Sequence, residues 1–191
     1  MFNYISSILE IVATLLSILY LYYISKSKKS AWYFSIASVS LFAYLVFQQK
    51  LYSQFLLQCF YILTSLAGWW NWNKNSNSKI KKYKFNQHIL IILIGLISSI
   101  IAGFVMQHYF NANFAFFDAC VSVFSVIATV LIILKIVENW LYWIVIDLFS
   151  FYLYFEQNLK TSSILFLVYT IMAVYGYLEW QNKWKEEQLN A

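Results

Sequence analysis

A chain of 191 residues that is 62% hydrophobic, 21% aromatic and only 11% charged is too apolar for a soluble domain of ordinary composition. Its net charge of +5 comes from thirteen lysines and no arginine, most of them in two linkers, a pattern that reports membrane topology and not nucleic-acid binding. Pro is absent and Gly occurs four times, which favours straight membrane helices over barrel strands separated by turn residues.

Apolar runs of about 17–25 residues predict seven spans, at 4–24, 31–48, 51–72, 88–109, 114–134, 138–156 and 161–180. The first lacks a basic leader and a small-residue cleavage site and carries Glu10 in its apolar run, so it is expected to be a retained span. Cys59 and Cys120 lie inside apolar runs without metal-ligand spacing and read as packing residues. His88 and His108 flank the fourth span and show no metal-binding spacing, so neither a metal nor a cofactor is expected. Eleven lysines fall on one side of this layout and two, Lys50 and Lys160, on the other. The positive-inside rule then places the N-terminus outside and the C-terminus in the cytoplasm.

Glu10, Thr14 and Ser17 in the first span, and Asp118, Ser122, Ser125 and Thr129 in the fifth, form matching polar faces. Both acids are expected near helix N-termini, where the macrodipole favours a carboxylate, or alternatively in a vestibule that attracts cations. The third span carries Gln54, Gln58, Tyr61, Ser65, Gly68 and Trp72 as one stripe. The seventh repeats it as Ser162, Phe166, Tyr169, Ala173, Gly176 and Trp180, with Glu179 alongside. Helix packing accounts for the glycines, whereas Gln58, Tyr61 and Tyr169 are candidates for substrate contact. Trp69, Trp70, Trp72, Trp180 and Trp184 fit an interfacial aromatic belt.

The sixth span holds the sharpest feature. Asn139, Trp143 and Asp147 recur every four residues, and Trp140 shares their face. Asp147 lies about 14 Å along the helix from Glu138, near the middle of a core roughly 30 Å thick. A carboxylate at that depth costs about 2.5–3.5 kcal/mol on insertion scales and is normally found facing a bundle interior or an aqueous path. Aromatic faces with a buried acid suit a small cationic aromatic molecule. No catalytic triad, P-loop or nucleophile elbow accompanies them, so an enzyme is not expected.

An internal repeat organises the chain. In one ungapped register, Trp32 falls on Trp140, Tyr44-Leu45 on Tyr152-Leu153, Phe47 on Phe155, Gln49 on Gln157 and Leu51 on Leu159. Tyr61, Gly68 and Trp72 fall on Tyr169, Gly176 and Trp180, Glu10 on Asp118, and Ser17 on Ser125. The expected fold is an all-α membrane protein of seven helices in a 3+1+3 parallel repeat, as in SWEET-type carriers. Its parts are a first triplet at 1–72, a basic linker and fourth helix at 73–112, a second triplet at 113–182 and a cytoplasmic tail at 183–191. The first-half counterpart of the sixth span keeps Trp32 but has Ala31 for Asn139, Ser35 for Trp143 and Val39 for Asp147, so the candidate chemistry sits in one half.

Glu138-Asn139-Trp140-x-x-Trp143 with Ile144-Val145-Ile146-Asp147, together with Tyr169…Tyr175-Gly176-Tyr177…Trp180, resembles the bacterial PnuC family of nicotinamide riboside transporters. The resemblance implies a homotrimer in the inner membrane that passes the vitamin by facilitated diffusion, without ATPase or ion coupling, for trapping by cytoplasmic phosphorylation and use in NAD synthesis. It implies Asn139, Trp140 and Trp143 as substrate contacts, with Gln58, Tyr61 and Asp147 less directly. Some family members carry an amide where this chain has Asp147, which leaves thiamine, another cationic aromatic vitamin, as an alternative substrate. A membrane scaffold or receptor that does not transport is the second alternative.

Overall fold

The computed structural model describes residues 2–48, 52–75, 78–110, 115–156 and 160–190, with side chains at all of these except 2–5, 52–54, 56, 110, 153 and 160–162. The pairs Gln49–Gln157 and Leu51–Leu159, and Lys50, therefore lie outside the described residues, as do the side chains of Gln54, Lys160 and Ser162.

Among the described residues there are seven α-helices: α1 (Phe2–Ser25), α2 (Ala31–Gln48), α3 (Tyr52–Lys74), α4 (Phe85–Phe110), α5 (Ala115–Ile133), α6 (Asn139–Glu156) and α7 (Lys160–Leu189). Stretches of α1, α2, α4, α5 and α7 are long and apolar enough to cross a membrane by length and composition. Even the 18 residues of α6 extend about 27 Å at 1.5 Å per residue. Large apolar side chains point outward along these helices, as they must when the solvent is lipid. On α4 alone, Leu90, Leu93, Ile97, Ile101 and Phe104 are each more than half exposed.

The chain falls into two compact units, Met1–Ser78 and Lys79–Ala191. Within the first, α2 packs against both α1 and α3; within the second, α4 packs on α5, α5 on α6 and α6 on α7. The repeat seen in the sequence recurs inside each unit at the level of single hydrogen bonds. The Ser27 N–H donates to the Ile24 carbonyl (2.9 Å) and the Lys28 N–H to the Tyr23 carbonyl (3.0 Å). At the equivalent turn the Lys135 N–H donates to Ile132 and the Ile136 N–H to Leu131, both at 2.9 Å. Ser27 (φ 54°) and Lys135 (φ 58°) are both left-handed, so each turn ends its helix with the paired 5→2 and 6→1 bonds of a Schellman cap. Neither position is glycine, and each accepts a strained φ to aim the following helix.

The frame beyond those turns is aromatic. Trp32 lies over Gly68 and meets Trp72 edge-on, with centroids 5.6 Å apart at 84°. Trp140 lies over Gly176 and meets Trp180 edge-on at 5.7 Å and 87°. A Cβ at Gly176 would stand 2.7 Å from the Trp140 ring, so only glycine permits this approach. All four tryptophans are at most 2% exposed. Each edge-to-face pair adds about 0.5–1.5 kcal/mol beyond burial.

The linker ahead of α4 is strapped to its own unit. Lys81 pairs through its backbone with the α5–α6 turn, its N–H donating to the Lys135 carbonyl and its carbonyl accepting from the Val137 N–H, both at 2.9 Å. The span expected to end near residue 180 continues as helix to Leu189. There the Ile80 N–H donates to Glu187 Oε2 (2.8 Å) and the Lys82 ammonium sits 4.4 Å from the Trp184 ring centroid. Lys135, buried at this junction, has its ammonium pulled below the usual lysine range by burial and by Lys183, with Glu187 acting in the opposite sense.

Candidate functional site

The α5–α6 turn sets the rotation with which α6 begins. The Asn139 N–H donates to the Ile136 carbonyl (3.2 Å), and the Asn139 side-chain Nδ2 donates to the same oxygen at 2.6 Å. Asn139 is fully buried by this anchoring, and its Oδ1 is enclosed with no hydrogen-bond partner among the described residues. One turn on, Trp143 is half-buried and its Nε1 is likewise enclosed without an acceptor. A further turn on, Asp147 is 4% exposed, and no hydrogen bond or ion pair joins its carboxylate to a described residue. Ser150, i+3 from Asp147, is 2% exposed and extends the polar line. An acceptor, a donor and a carboxylate thus stand at successive turns, about 6 Å apart along the axis. An unpaired buried polar group typically costs about 1–3 kcal/mol and a charged one more, so the stripe is incomplete as it stands.

Trp140 belongs to this face by sequence but is turned into the frame, against Gly176 and Trp180. Its Nε1 has no hydrogen-bond partner among the described residues, and neither has Trp32 Nε1 in the first half. That orphaned donor comes with the frame and is no sign of a ligand by itself. Asn139 and Trp143 have no such counterpart: the equivalent positions are Ala31 and Ser35. Ser35 Oγ shares a 2.7 Å hydrogen bond with Ser65 Oγ, satisfying both hydroxyls between α2 and α3. The residues equivalent to that pair are Trp143 and Ala173. Ala173 is 3% exposed, and as a smaller residue in place of Ser65 it offers no hydroxyl to the larger Trp143 that replaces Ser35.

Gln58 and Tyr61, both half-buried on α3, belong to the first unit, where the Tyr61 ring lies 5.8 Å from Phe60. Tyr169 on α7 is half-buried in the second unit, with its ring perpendicular to Phe166 at 6.0 Å, and Phe166 stacks in turn on Tyr154 at 5.1 Å. The structure thus gathers Asn139, Trp140, Trp143 and Asp147 on α6 in the unit that also holds Tyr169, and places Gln58 and Tyr61 in the other. Of the two acids expected near helix N-termini, Asp118 does occupy the first turn of α5. Glu10 does not, because α1 begins at Phe2 and has no acid in its first turn. Glu10 is more than two turns in, beyond the reach of the terminal dipole. Cys59 and Cys120 are free thiols. Sequence reasoning misses Ser150 and Ala173 as site residues, although Ala173 is visible there as the mismatch to Ser65 in the repeat.

This stripe can bind a molecule that offers a donor to Asn139, an acceptor to the Trp143 N–H and positive charge to Asp147, with the Trp143 ring for stacking. No group of three His, Cys, Asp or Glu side chains among the described residues could hold a metal ion.

Comparison with known proteins identifies the family. The chain is 26% identical to the nicotinamide riboside transporter PnuC of Escherichia coli, over 99% of its own length and 91% of that protein's. It is 28% identical to the nicotinamide riboside transporter PnuC of Neisseria mucosa, over 88% of this chain and 70% of that one. A crystal structure of the vitamin B3 transporter PnuC superposes with a TM-score of 0.74 at 26% identity, covering 94% of this chain and 83% of that chain. Residues 7–182 match the family described as nicotinamide mononucleotide transporter, and with a fold, a repeat and a match that run through nearly all of its length, this chain belongs to that family of membrane transporters.

Proposed function

We propose that this protein takes up nicotinamide riboside across the bacterial inner membrane, by facilitated diffusion through alternating access, for NAD synthesis. The observation that carries this reading is the enclosed, unpartnered Asn139 Oδ1 and Trp143 Nε1 on the face of α6 that also holds the buried Asp147. The substrate is a pyridinium cation with a hydroxylated ribose. Its ring charge answers Asp147 and stacks on Trp143, while its hydroxyl and amide groups supply the donors and acceptors that the stripe lacks. Trp140 backs this wall as part of the frame. Tyr169 is a further candidate contact from its place on the polar stripe of α7, and Gln58 and Tyr61 are further contacts suggested by the family resemblance. The names of the relatives support the vitamin, and the lysine distribution supports an outer N-terminus and a cytoplasmic C-terminus. The resemblance also suggests a homotrimer, which the mass of the detergent-solubilised protein would test.

Titrating the purified protein with nicotinamide riboside and, in parallel, thiamine tests the assignment by tryptophan fluorescence. Saturable quenching by nicotinamide riboside at lower concentrations than thiamine is expected. Saturation by thiamine alone would reassign the substrate, and saturation by neither would leave a scaffold as the better reading.

A further inference from the structure

On the side of α6 away from α7 lies a second polar cluster, which the binding stripe does not use. Glu138 is the residue just before α6, and its carbonyl accepts the N–H groups of Leu141 (3.0 Å) and Tyr142 (3.4 Å). Its side-chain Oε2 accepts the backbone N–H of Tyr83 at 3.3 Å and stands 3.8 Å from His88 Nε2. His88, in the first turn of α4, holds its other ring nitrogen, Nδ1, 3.0 Å from the Tyr142 hydroxyl. Glu138 and Tyr142 are one helical turn apart, so one imidazole bridges two successive turns at the start of α6. The His88 and Glu138 side chains are only 15% and 16% exposed.

The geometry is completed from the other elements around it. α5 contributes the apolar Phe124, whose ring stacks on Tyr142 with centroids 6.5 Å apart. The linker contributes the Tyr83 ring, 6.0 Å from His88, and the Lys84 carbonyl, which accepts the His88 N–H at 3.4 Å. The titratable or charged groups facing His88 are therefore Glu138, Tyr142, Tyr83 and Lys84, the last of them exposed. His88 Nε2 is enclosed and has no hydrogen-bond partner among the described residues. Its separation of 3.8 Å from the Glu138 carboxylate is too long for a hydrogen bond and short enough for an ion pair once the ring is charged. A neutral imidazole protonated on Nε2 can face Glu138 with its N–H while Nδ1 accepts from the Tyr142 hydroxyl, whereas the imidazolium donates at both nitrogens and sets a positive charge against the Glu138 carboxylate.

We propose that His88 is a positioning residue for substrate binding: it clamps the start of α6 through Glu138 and Tyr142, next to Asn139 and Trp143, and the clamp tightens when His88 takes up a proton. This rests on the transport reading above. Its consequence is a component of the pH dependence of substrate affinity that is lost when His88 is replaced and that adds to whatever Asp147 contributes. The substrate's pyridinium charge is fixed, so it adds no titration of its own.

The test measures nicotinamide riboside affinity for the full chain between about pH 5.5 and about pH 8, the range in which histidine changes charge. Wild type is compared with His88→Gln, Glu138→Gln and Tyr142→Phe, and thermal unfolding is recorded for each. Asp147 is common to all four, so differences between profiles isolate the clamp. On acidification wild type should gain about threefold in affinity relative to His88→Gln. Glu138→Gln should flatten the profile in the same way. Tyr142→Phe should bind more weakly at every pH while keeping the wild-type slope. Superimposable slopes for wild type and His88→Gln, with both binding, would overturn the inference. Should His88→Gln fail to fold, a wild-type slope in Glu138→Gln would overturn it equally. No binding of nicotinamide riboside by wild type at any pH would instead remove the substrate reading on which the proposal rests.

Discussion

The two halves of this protein share a frame and differ in what they hang on it. Trp32 and Trp72 meet at 5.6 Å and 84° over Gly68 in the first unit, and Trp140 and Trp180 at 5.7 Å and 87° over Gly176 in the second. The capping turns before them are also alike, down to a left-handed residue at the same position. Features present in both halves are explained by folding alone. Features present in one need another cause, and the enclosed, unpaired atoms of Asn139 and Trp143, together with buried Asp147, have no equivalent at Ala31, Ser35 and Val39. At this layer the first half pairs Ser35 with Ser65; the second leaves Asn139 Oδ1 and Trp143 Nε1 without a partner among the described residues.

The largest effects should come from breaking what is shared. Trp32→Ala and Trp140→Ala each remove a fully buried indole and are expected to destabilise by about 3–5 kcal/mol. Both should be visible as a lower melting temperature or loss of folded protein from the membrane. The milder Trp32→Phe and Trp140→Phe should cost similar stability to one another, with substrate affinity in Trp140→Phe reduced no more than about threefold; a far greater loss would move Trp140 from the frame into the site. Asp147→Asn comes next. It removes the charge from a stripe built to meet a cation, and a charge-assisted contact of about 1.5–3 kcal/mol predicts a ten- to hundredfold loss of affinity. Uptake should fall accordingly, with protein abundance unchanged. Wild-type uptake by this variant would exclude Asp147 from recognition.

Much of this is legible in the residues before any coordinates. Seven spans follow from hydropathy, and the single ungapped register of the repeat follows from matched Trp, Tyr and Gly, which lipid-facing leucines could not have imitated. Asp147 stands out because a carboxylate at membrane depth is costly wherever it points. Orientation is what sequence spacing leaves open. Trp140 and Trp143 are three residues apart on one helical face, yet only the packing shows one ring resting on Gly176 and the other left half-buried. The extension of α7 to Leu189 depends on Glu187 and Trp184 meeting residues some hundred positions earlier, a contact that no local pattern announces. In the sequence His88 does no more than flank the fourth span, for the same reason: Glu138 and Tyr142 are its neighbours in space only.

A chimaera makes the comparison sharper. Trp143→Ser with Ala173→Ser writes the Ser35–Ser65 pair into the second half. Trp143→Ser alone should abolish substrate quenching and leave a gap with a stranded hydroxyl. Adding Ala173→Ser supplies the partner, so the double variant should recover about 1 kcal/mol of stability over the single one without recovering binding. Stability and binding would then part company at one site. Equal melting temperatures for single and double variants would show that the two halves differ more at this layer than their frames suggest.

The smallest effect tests the closed half. Ser65→Ala strands the Ser35 hydroxyl between α2 and α3, where it is 8% exposed. A buried hydroxyl without a partner costs about 1–3 kcal/mol, and Ser35 can offset part of that by donating back to its own helix one turn earlier, so about 1 kcal/mol is expected. Ser35→Ala with Ser65→Ala removes donor and acceptor together and should restore most of the loss. Neither variant should move the affinity for nicotinamide riboside, since this hydrogen bond is the first half's substitute for a ligand. A shift in affinity from Ser65→Ala larger than its effect on stability would show that the closed half takes part in recognition after all, and the division between frame and site would have to be redrawn at Ser65.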